Sequence, residues 1–253
     1  MPWHKADFPA PGNVRAGFST RAGGVSLGPY DSLNLGDHVG DSAEAVATNR
    51  ARFAQALGAR PVFLRQVHGR DVATIGGTTA DGITADACVT ATRGIAGTIM
   101  VADCLPVLLT DAGGRAVAAA HAGWRGLAGI EGQGVIEAVC RTFWQSPGTQ
   151  PADMLVWLGP CIGPQAFEVG PEVKETFEQH DPAAAVMFKP HGQYKWLADL
   201  AGLARQRLHA LGVTRVFGND GTREWCTVSN PSRFFSHRRD GVCGRFAASI
   251  WLV

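Results

Sequence analysis

The amino-acid sequence predicts an α+β fold. Several apolar segments of strand length follow one another in the middle of the chain, and helical patterns stand before and after them. Strand and helix do not alternate strictly, so mixed or antiparallel sheets covered by helices are expected instead of a regular βαβ series. No repeat, low-complexity tract or linker-like stretch interrupts the 253 residues, so residues 1–253 are predicted to form a single domain.

The first helix is predicted after Asp41, because Asp41 followed by Glu44 resembles a capping box. Apolar residues then recur at helical spacing as far as Leu57, and Gly58 is the expected C-terminal stop. The same spacing predicts further helices within residues 130–143, after Gly170, and from Leu197 to a stop at Gly212.

The predicted strands are short runs rich in valine, isoleucine, leucine and alanine. They cover residues 62–67, 72–75, 87–90, 95–102, 107–110, 116–121, 155–158, 213–216 and 247–253. Three of these runs end on a potential metal ligand beside glycine or proline, namely His68 in RQVHG, Cys104 in ADCLP and His121 in HAGWRG. Two imidazoles and a thiolate suit Zn²⁺, and three protein ligands leave one position open, as catalytic zinc sites require. The alternatives are hydrogen-bonded structural histidines and an inert cysteine.

Composition excludes several classes of protein. Lysine and arginine total 23 against 22 acidic residues, so the chain lacks the basic footprint of a nucleic-acid-binding protein. No apolar run reaches the ~18 residues of a membrane helix, and the N-terminus lacks the apolar stretch of a signal peptide. The six cysteines include no C-x-x-C pair and are expected to be thiols. A cytoplasmic protein is therefore expected.

Five residues are the predicted substrate-binding set. Arginine binds phosphate or carboxylate bidentately, so Arg238 in SHRRDG and Arg21 in STRAGG are candidates for holding an anion, with a solvated loop as the alternative. The glycine-rich turn that contains Gly123 and Arg125 offers backbone amides for a phosphate or an oxyanion. Asn34 in SLNLG is a candidate hydrogen-bond partner for substrate, and loop capping explains it equally well.

Other catalytic motifs are absent or rejected. Residues 24–28 match G-x-S-x-G, but that nucleophile elbow needs a following helix, which Pro29 opposes. The zinc-protease H-E-x-x-H, the P-loop, the dinucleotide-binding G-x-G-x-x-G and the zinc-deaminase signature are all missing.

Several separated motifs, in register over nearly the whole chain, resemble the laccase-domain family. This multicopper polyphenol oxidase-like family is also named purine nucleoside phosphorylase-like or peptidoglycan editing factor. The matching segments are STRAGGVS, SLNLGDHVGD, RQVHG, ADCLPVLL, HAGWRG, GPCIG followed by FEVG, and CT followed by FFSHRRDG.

The resemblance implies a four-layer α/β/β/α arrangement, similar to a toxin-type cysteine-hydrolase fold, and a monomer. It also implies a zinc site formed by His68, Cys104 and His121, the trio already reached from the strand ends. Copper fits less well, because a blue-copper site takes a weak axial ligand such as methionine and only Met100 is near a proposed ligand in the sequence.

The resemblance implies two main activities, both of which use Cys104, His121 and His68 as catalytic residues. The first is phosphorolysis of adenosine, inosine and methylthioadenosine, accompanied by adenosine deamination, with zinc-bound water serving the hydrolytic step. The second is removal of L-Ser from the cell-wall precursor UDP-MurNAc-L-Ser, either by zinc-bound water or by a Cys104 thiolate with His121 as base. In either case the partner is a small-molecule substrate.

Two further alternatives stay open. One is a copper-dependent polyphenol oxidase. The other is a non-catalytic metal-binding protein, in which Cys161 or Cys226 completes a closed four-ligand shell. Glu168 and Asp103 are the candidate carboxylates for acid–base work, and Trp124 is the candidate for stacking on a base.

Overall fold

The computed structural model describes residues 3–145 and 149–253. Their mixed strands and helices confirm the predicted α+β class. The strands are β1 Trp3–Lys5, β2 Val14–Ser19, β3 Arg60–Phe63, β4 Val72–Thr74, β5 Ala87–Thr90, β6 Ile95–Val101, β7 Leu105–Asp111, β8 Val117–Ala122, β9 Met154–Leu158, β10 Glu168–Val169, β11 Phe188–His191, β12 Lys195–Ala198, β13 Arg215–Gly218 and β14 Phe246–Leu252. The α-helices are α1 Ala43–Leu57, α2 Trp124–Ala128, α3 Val135–Trp144, α4 Pro171–Glu178, α5 Leu200–Ala210 and α6 His237–Asp240, with 3-10 helices at Gly28–Tyr30, Pro151–Asp153, Pro182–Met187 and Arg223–Trp225.

Most strands belong to two large sheets. In the first sheet the order is β1-β2-β14-β6-β3, and only β3 and β6 run parallel. In the second the order is β13-β9-β7-β8-β5-β4, with parallel pairs at its two edges and antiparallel pairs between them. Strands β10, β12 and β11 form a small antiparallel sheet. The mixture of parallel and antiparallel pairs follows from the irregular order of strands and helices along the chain.

The two large sheets pack face to face, as strand β7 shows. Leu108 belongs to a buried cluster that also contains Ile99 and Ile250 of the first sheet, whereas its neighbours Val107 and Leu109 belong to a different cluster with helices α3 and α5. Successive side chains of a strand point to opposite faces, so one face of β7 meets the first sheet and the other meets the helices. Every residue of β7 is buried as a result.

The first sheet is covered on its outer face by helix α1. Phe53 and Leu57 of α1 share a buried cluster with Phe63 of β3 and Trp251 of β14. Both large sheets therefore have apolar contacts on both faces, which accounts for the fully buried strands β6, β7, β8 and β14. Across the described ranges, no helix is both long and apolar enough to cross a membrane.

Two predicted helix starts need correction. Ser42, and not Asp41, is the N-cap of α1, because the Ser42 side chain accepts the N–H of Ala45. Helix α5 begins at Leu200 and not at Leu197, because the Asp199 side chain accepts the N–H of Gly202 and caps the helix there. The stop of α1 at Gly58 is confirmed, since this residue has a φ of 64°, which favours glycine.

The predicted strand over residues 62–67 is also too long. Strand β3 ends at Phe63, and the backbone N–H of Phe63 donates a hydrogen bond to the Asp81 side chain. Beyond it the backbone of Arg65 bonds to Ile83, and the Gln66 side chain bonds to the backbone N–H and C=O of Met100. His68 therefore lies in a loop after this segment and not at a strand end. Strands β1, β2 and β10–β12 were not predicted.

Candidate metal centre

Three side chains from separate loops and strands meet at one end of the second sheet. Cys104 lies immediately before β7, and His121 is the next-to-last residue of β8. The antiparallel pairing of these strands sets His121 beside Pro106, two residues from Cys104. His68 comes from the loop between β3 and β4. The topology thus gathers residues that are far apart in the sequence.

The potential ligand atoms of His68, Cys104 and His121 all lie within 4.8 Å of one another. Nε2 of His68 is 3.6 Å from Sγ of Cys104, and the centres of the two imidazole rings are 4.7 Å apart. His121 is buried, Cys104 is half-buried and His68 is exposed, so the cluster opens toward solvent on the side of His68. These three residues form a cluster able to hold a metal ion.

Asp86 supports this cluster, and it was missed in the sequence. Its side chain is fully buried at the start of β5, and Oδ1 lies 2.8 Å from Nδ1 of His121. The same carboxylate accepts the backbone N–H groups of Val67, His68 and Gly69 at 2.7–3.1 Å. One carboxylate therefore orients the His121 ring and holds the loop that carries His68. The one signal in the sequence that could have found Asp86 is its position directly before the apolar strand β5.

The loops of this site contain unusual backbone conformations. His68 has a φ of 59° and Asp103 a φ of 95°, both in the left-handed region that non-glycine residues seldom adopt. Strain of this kind persists only where the surrounding contacts determine the conformation. For His68 those contacts include the bond from its own N–H to the Asp86 carboxylate.

The protonation states of Cys104, His121 and Asp86 depend on one another. Burial alone would raise the pKa of the Cys104 thiol, but the charge of His121 and hydrogen bonds from both histidines lower this pKa to about 6. Burial would lower the pKa of His121, but the charge of Cys104 and the hydrogen bond to Asp86 raise it to about 9. Burial would raise the pKa of Asp86, but the hydrogen bond and charge of His121, together with the N–H groups of Gly69 and Val67, lower it. Without metal, the site therefore favours a thiolate beside an imidazolium.

The cluster lies in the wall of a cavity of about 370 Å³. Apolar and aromatic side chains line one part of it, including Trp124, Phe167 and Leu200. The charged and titratable lining is mostly basic, with Arg238, Arg245 and several histidines. The carboxylate among the lining residues is Asp103, and both of its oxygens already accept hydrogen bonds, from Thr227 and from the N–H of Arg238. The cavity therefore suits a ligand that combines a flat apolar part with an anionic group.

A family model described as multi-copper polyphenol oxidoreductase laccase matches residues 15–253. The chain belongs to this family. It is 48% identical over 248 residues to the protein named purine nucleoside phosphorylase YfiH of Escherichia coli, and the match covers 97% of each chain. It is also 48% identical over 251 residues to purine nucleoside phosphorylase PA4543 of Pseudomonas aeruginosa, covering 99% of this chain and 98% of that one.

Solved structures agree with the fold of this laccase-family chain. Neisseria meningitidis protein NMB0706 superposes with a TM-score of 0.89 at 46% identity, covering 100% of this chain and 99% of that one. YlmD from Geobacillus stearothermophilus superposes with a TM-score of 0.88 at 30% identity, covering 100% and 96%. The family predicted from the motifs is confirmed, and so is the prediction of an enzyme, because the close relatives carry the names of enzymes.

Of the predicted substrate-binding residues Arg238, Arg21 and Asn34, only Arg238 is among the residues that line the cavity. Arg238 lines the cavity, whereas the guanidinium of Arg21 lies over the Phe235 ring and bonds to the backbone oxygens of Asp31 and Pro231. Asn34 is fully buried, and its side chain bonds to the backbone of Gly36 and Arg245. The structure therefore brings Arg238 to the cavity, while Arg21 and Asn34 hold loops together.

Gly123 lies closely against His68 and Cys104. A Cβ atom at this position would be 2.7 Å from His68 and 3.0 Å from Cys104, so a larger residue would force these side chains to shift. Gly123 is the N-cap of the short helix α2. Arg125, two residues on, is exposed, and its guanidinium lies 4.4 Å from the centre of the Trp124 ring. Trp124 itself lines the cavity.

Other predicted site residues have local partners. Sγ of Cys161 accepts the Asn219 side-chain N–H, and Sγ of Cys226 accepts the N–H of Gly163. Within the described part of the chain, the His/Cys cluster includes neither of these cysteines.

The remaining candidates lie in different surroundings. Glu168 is exposed beside His191. Sδ of Met100 lies 3.8 Å from the Arg50 guanidinium. Arg245 and His38 also line the cavity, and of these two His38 was not predicted.

Proposed function

We propose that this chain is a zinc-dependent purine nucleoside phosphorylase that cleaves adenosine, inosine and methylthioadenosine with inorganic phosphate. The observation that carries the proposal is the convergence of His68, Cys104 and His121 in the wall of a cavity that is both aromatic and basic. The names of the relatives support the reaction class. The cavity volume of about 370 Å³ is in the range of small-molecule sites.

The donor set fits zinc. Two imidazole nitrogens and one thiolate are ligands that Zn²⁺ prefers, and three protein ligands leave a coordination position for solvent or substrate. Nδ1 of His121 bonds to Asp86, so Nε2 faces the cluster, as in other sites where a carboxylate orients a metal-binding histidine. When bound, the ion supplies Lewis-acid polarisation of an oxygen atom in the site. Copper fits less well because the Met100 thioether is turned to Arg50.

The remaining residues bind and orient the two substrates. Arg238 offers N–H groups to inorganic phosphate, and Trp124 and Phe167 offer aromatic faces to the purine. In phosphorolysis an oxygen of phosphate forms a bond to C1′ of the ribose, and the purine nitrogen leaves with the electron pair of the glycosidic bond. Holding both substrates in one cavity makes their reaction effectively unimolecular, which lowers the entropic part of the activation barrier.

The first test combines metal content with turnover. Protein purified without a metal-affinity tag is expected to contain about one zinc ion per chain. It is expected to release hypoxanthine from inosine only when phosphate is present. Removal of the metal by a chelator should abolish this activity, and added zinc should restore it. Ammonia is followed in the same assay with adenosine, because deamination is the accompanying activity that we propose.

A matched pair of cysteine variants completes the test. Cys104→Ala should lose both zinc and phosphorolysis, whereas Cys140→Ala, which alters a buried cysteine of helix α3, should retain both. Phosphorolysis that survives chelation would contradict the proposal. One zinc per chain without turnover of any nucleoside would favour a non-catalytic metal-binding protein, and oxidation of a phenol by the copper-loaded chain would favour a polyphenol oxidase.

A second candidate function rests on the spatial arrangement in which His121 lies between the Cys104 thiol and the Asp86 carboxylate. A thiol next to a histidine that a carboxylate orients is the arrangement of cysteine hydrolases. In this alternative the Cys104 thiolate attacks the amide carbonyl of UDP-MurNAc-L-Ser. His121 gives its proton to the leaving L-serine nitrogen, and water then hydrolyses the acyl-enzyme. Release of L-serine that survives metal removal and is lost in Cys104→Ser would support this function over phosphorolysis.

We also propose that the protein acts as a monomer in the cytoplasm. The six cysteines are all free thiols, as expected for a reducing compartment. Sedimentation of the purified protein tests the oligomeric state, and fractionation of cells tests the location.

A further inference from the structure

Asp103 precedes the candidate ligand Cys104 and has an unusual backbone. Its φ of 95° is in the left-handed region, which non-glycine residues seldom adopt. Its backbone oxygen accepts the N–H of Ile162 at 2.9 Å. The side chain is 9% exposed at the edge of the cavity. The phosphorylase proposal does not account for this buried acidic residue in a basic cavity.

Both carboxylate oxygens of Asp103 are occupied. Oδ1 accepts the hydroxyl of Thr227 at 2.5 Å, and Oδ2 accepts the backbone N–H of Arg238 at 2.6 Å. Charged acceptors make hydrogen bonds of this kind strong. Because both oxygens accept hydrogen bonds from the protein, the carboxylate holds Thr227 and the backbone of Arg238 in place.

The segment that Asp103 holds carries Arg238. The Arg239 guanidinium of helix α6 bonds to the backbone oxygens of Thr227 and Phe234. Helix α6 and Thr227 are therefore bonded to each other, and both are bonded to the Asp103 carboxylate. The Arg238 side chain is exposed and bonds to the backbone oxygen of Glu168 at 2.9 Å. The bond to Asp103 therefore fixes the backbone from which Arg238 reaches into the cavity.

We infer that Asp103 is a positioning residue that links the Cys104 loop to helix α6 and thereby sets the affinity of Arg238 for inorganic phosphate. The inference rests on the proposed function, and phosphate is the ligand class that it concerns. Asp103 acts through Arg238, so its loss should weaken the use of phosphate more than the use of the nucleoside. A group misplaced by about 1 Å can lose a large part of its effect.

The decisive variant is Asp103→Gly, because glycine adopts the same positive φ without strain while the side chain with its carboxylate is removed. We expect its KM for phosphate to rise on the order of tenfold, with zinc content kept and the KM for inosine changed much less. Asp103→Asn should restore most of the phosphate affinity, since its amide oxygen can accept the Arg238 N–H and its NH₂ group can donate to Thr227.

Two further variants separate this effect from a general disturbance. Glu131→Gly makes the same change at another acidic residue with positive φ, 52°, that is exposed outside the cavity, and it should leave the KM for phosphate unchanged. Thr227→Val removes one of the two bonds to Asp103 without altering the backbone at 103. It should raise the KM for phosphate in the same direction by a smaller factor, and it serves as the test if Asp103→Gly fails to fold.

Titration calorimetry with inorganic phosphate separates the inference from the proposed reaction. Zinc-loaded wild type should bind phosphate and Asp103→Gly should bind it on the order of tenfold more weakly, even if no nucleoside is turned over. That result would leave the inference standing while the phosphorylase proposal fails. Equal phosphate affinity in the two proteins, or loss of zinc from Asp103→Gly, would overturn the inference whatever the activity.

Discussion

The Asp86 carboxylate lies 2.8 Å from Nδ1 of His121 and also binds the loop that carries His68. The backbone repeats this link, because the N–H of His121 donates to the carbonyl oxygen of Asp86 at 2.7 Å. Asp86 therefore determines both which nitrogen of His121 faces the cluster and where His68 stands. Two of the three candidate ligands depend on one residue that binds no metal itself.

The first prediction concerns this support. Asp86→Asn should lower zinc affinity by about 10–100-fold, because the amide cannot accept all the N–H groups that the carboxylate accepts. Competition with a chromogenic chelator measures the change. Asp71→Asn is the control, since Asp71 ends the loop that carries His68 and it is its backbone oxygen, and not its exposed side chain, that accepts the Asp86 N–H. This variant should bind zinc as the wild type does. Equal zinc affinity in Asp86→Asn would show that the carboxylate is dispensable.

A second prediction concerns the close approach of Gly123. In Gly123→Ala the new methyl group would press on His68 and Cys104, at 2.7 and 3.0 Å, so the ligands must move apart. Zinc content measured by mass spectrometry should fall below half of one ion per chain, on the order of a tenfold loss of affinity. Gly77→Ala has open space around the new methyl group and should keep its zinc. Full zinc content in both variants would contradict the prediction.

Local patterns in the sequence predicted much of the fold. The apolar spacing and the Gly58 stop locate helix α1, and the runs of valine and alanine locate β5, β7 and β8. Strand β2 was not predicted, because its buried pattern includes Gly17 and its partner β14 lies at the other end of the chain. A pairing between such distant segments leaves no local periodicity. The small sheet of β10–β12 was missed because its strands are short and partly exposed.

The candidate site was predictable only in part. His68, Cys104 and His121 stood out because each interrupts an apolar run, but Asp86 did not, since its partner His121 is 35 residues away. Arginine positions were ambiguous for a similar reason. Spacing along the chain does not say whether an arginine lines the cavity, as Arg238 does, or binds the backbone of neighbouring loops, as Arg21 does.

The packing of the two sheets makes a third prediction. Leu108 is fully buried between them, so Leu108→Ala should leave a cavity and lower the free energy of unfolding by about 2–5 kcal/mol. Urea denaturation followed by tryptophan fluorescence measures this change. Leu27→Ala removes the same atoms from a side chain that is 80% exposed, and it should change stability by less than about 0.5 kcal/mol. Similar values for the two variants would mean that Leu108 does not fill the core.

The fourth prediction concerns pH and the metal-free protein. The pKa of Cys104 is lowered from 9.0 to about 6, so the thiolate is present above pH 6 and lost as the pH falls below it. The rate of alkylation by iodoacetamide should therefore rise between pH 5 and about 7 and then level off, whereas an ordinary thiol would continue to gain ~tenfold per pH unit to about pH 8. Zinc should protect the thiol from alkylation.

Cys104→Ala supplies the control for this measurement. Burial raises the pKa of the Cys88 and Cys140 thiols to about 12, so the variant should show little reaction over the same range. A half-maximal rate near pH 9 in the wild type would show that the histidines do not stabilise the thiolate.

The last prediction separates the two arginines that the sequence could not distinguish. Arg238→Ala should raise the KM for phosphate on the order of tenfold, because the variant loses a charged donor at the cavity wall. Arg21→Ala should leave this KM unchanged, because the Arg21 guanidinium is bonded to the backbone of Asp31 and Pro231, although the variant should unfold at a lower urea concentration. Steady-state phosphorolysis at varied phosphate and urea denaturation together provide both readouts. A rise in the KM for phosphate in Arg21→Ala alone would place the anion near the N-terminal loop and remove Arg238 from the binding site.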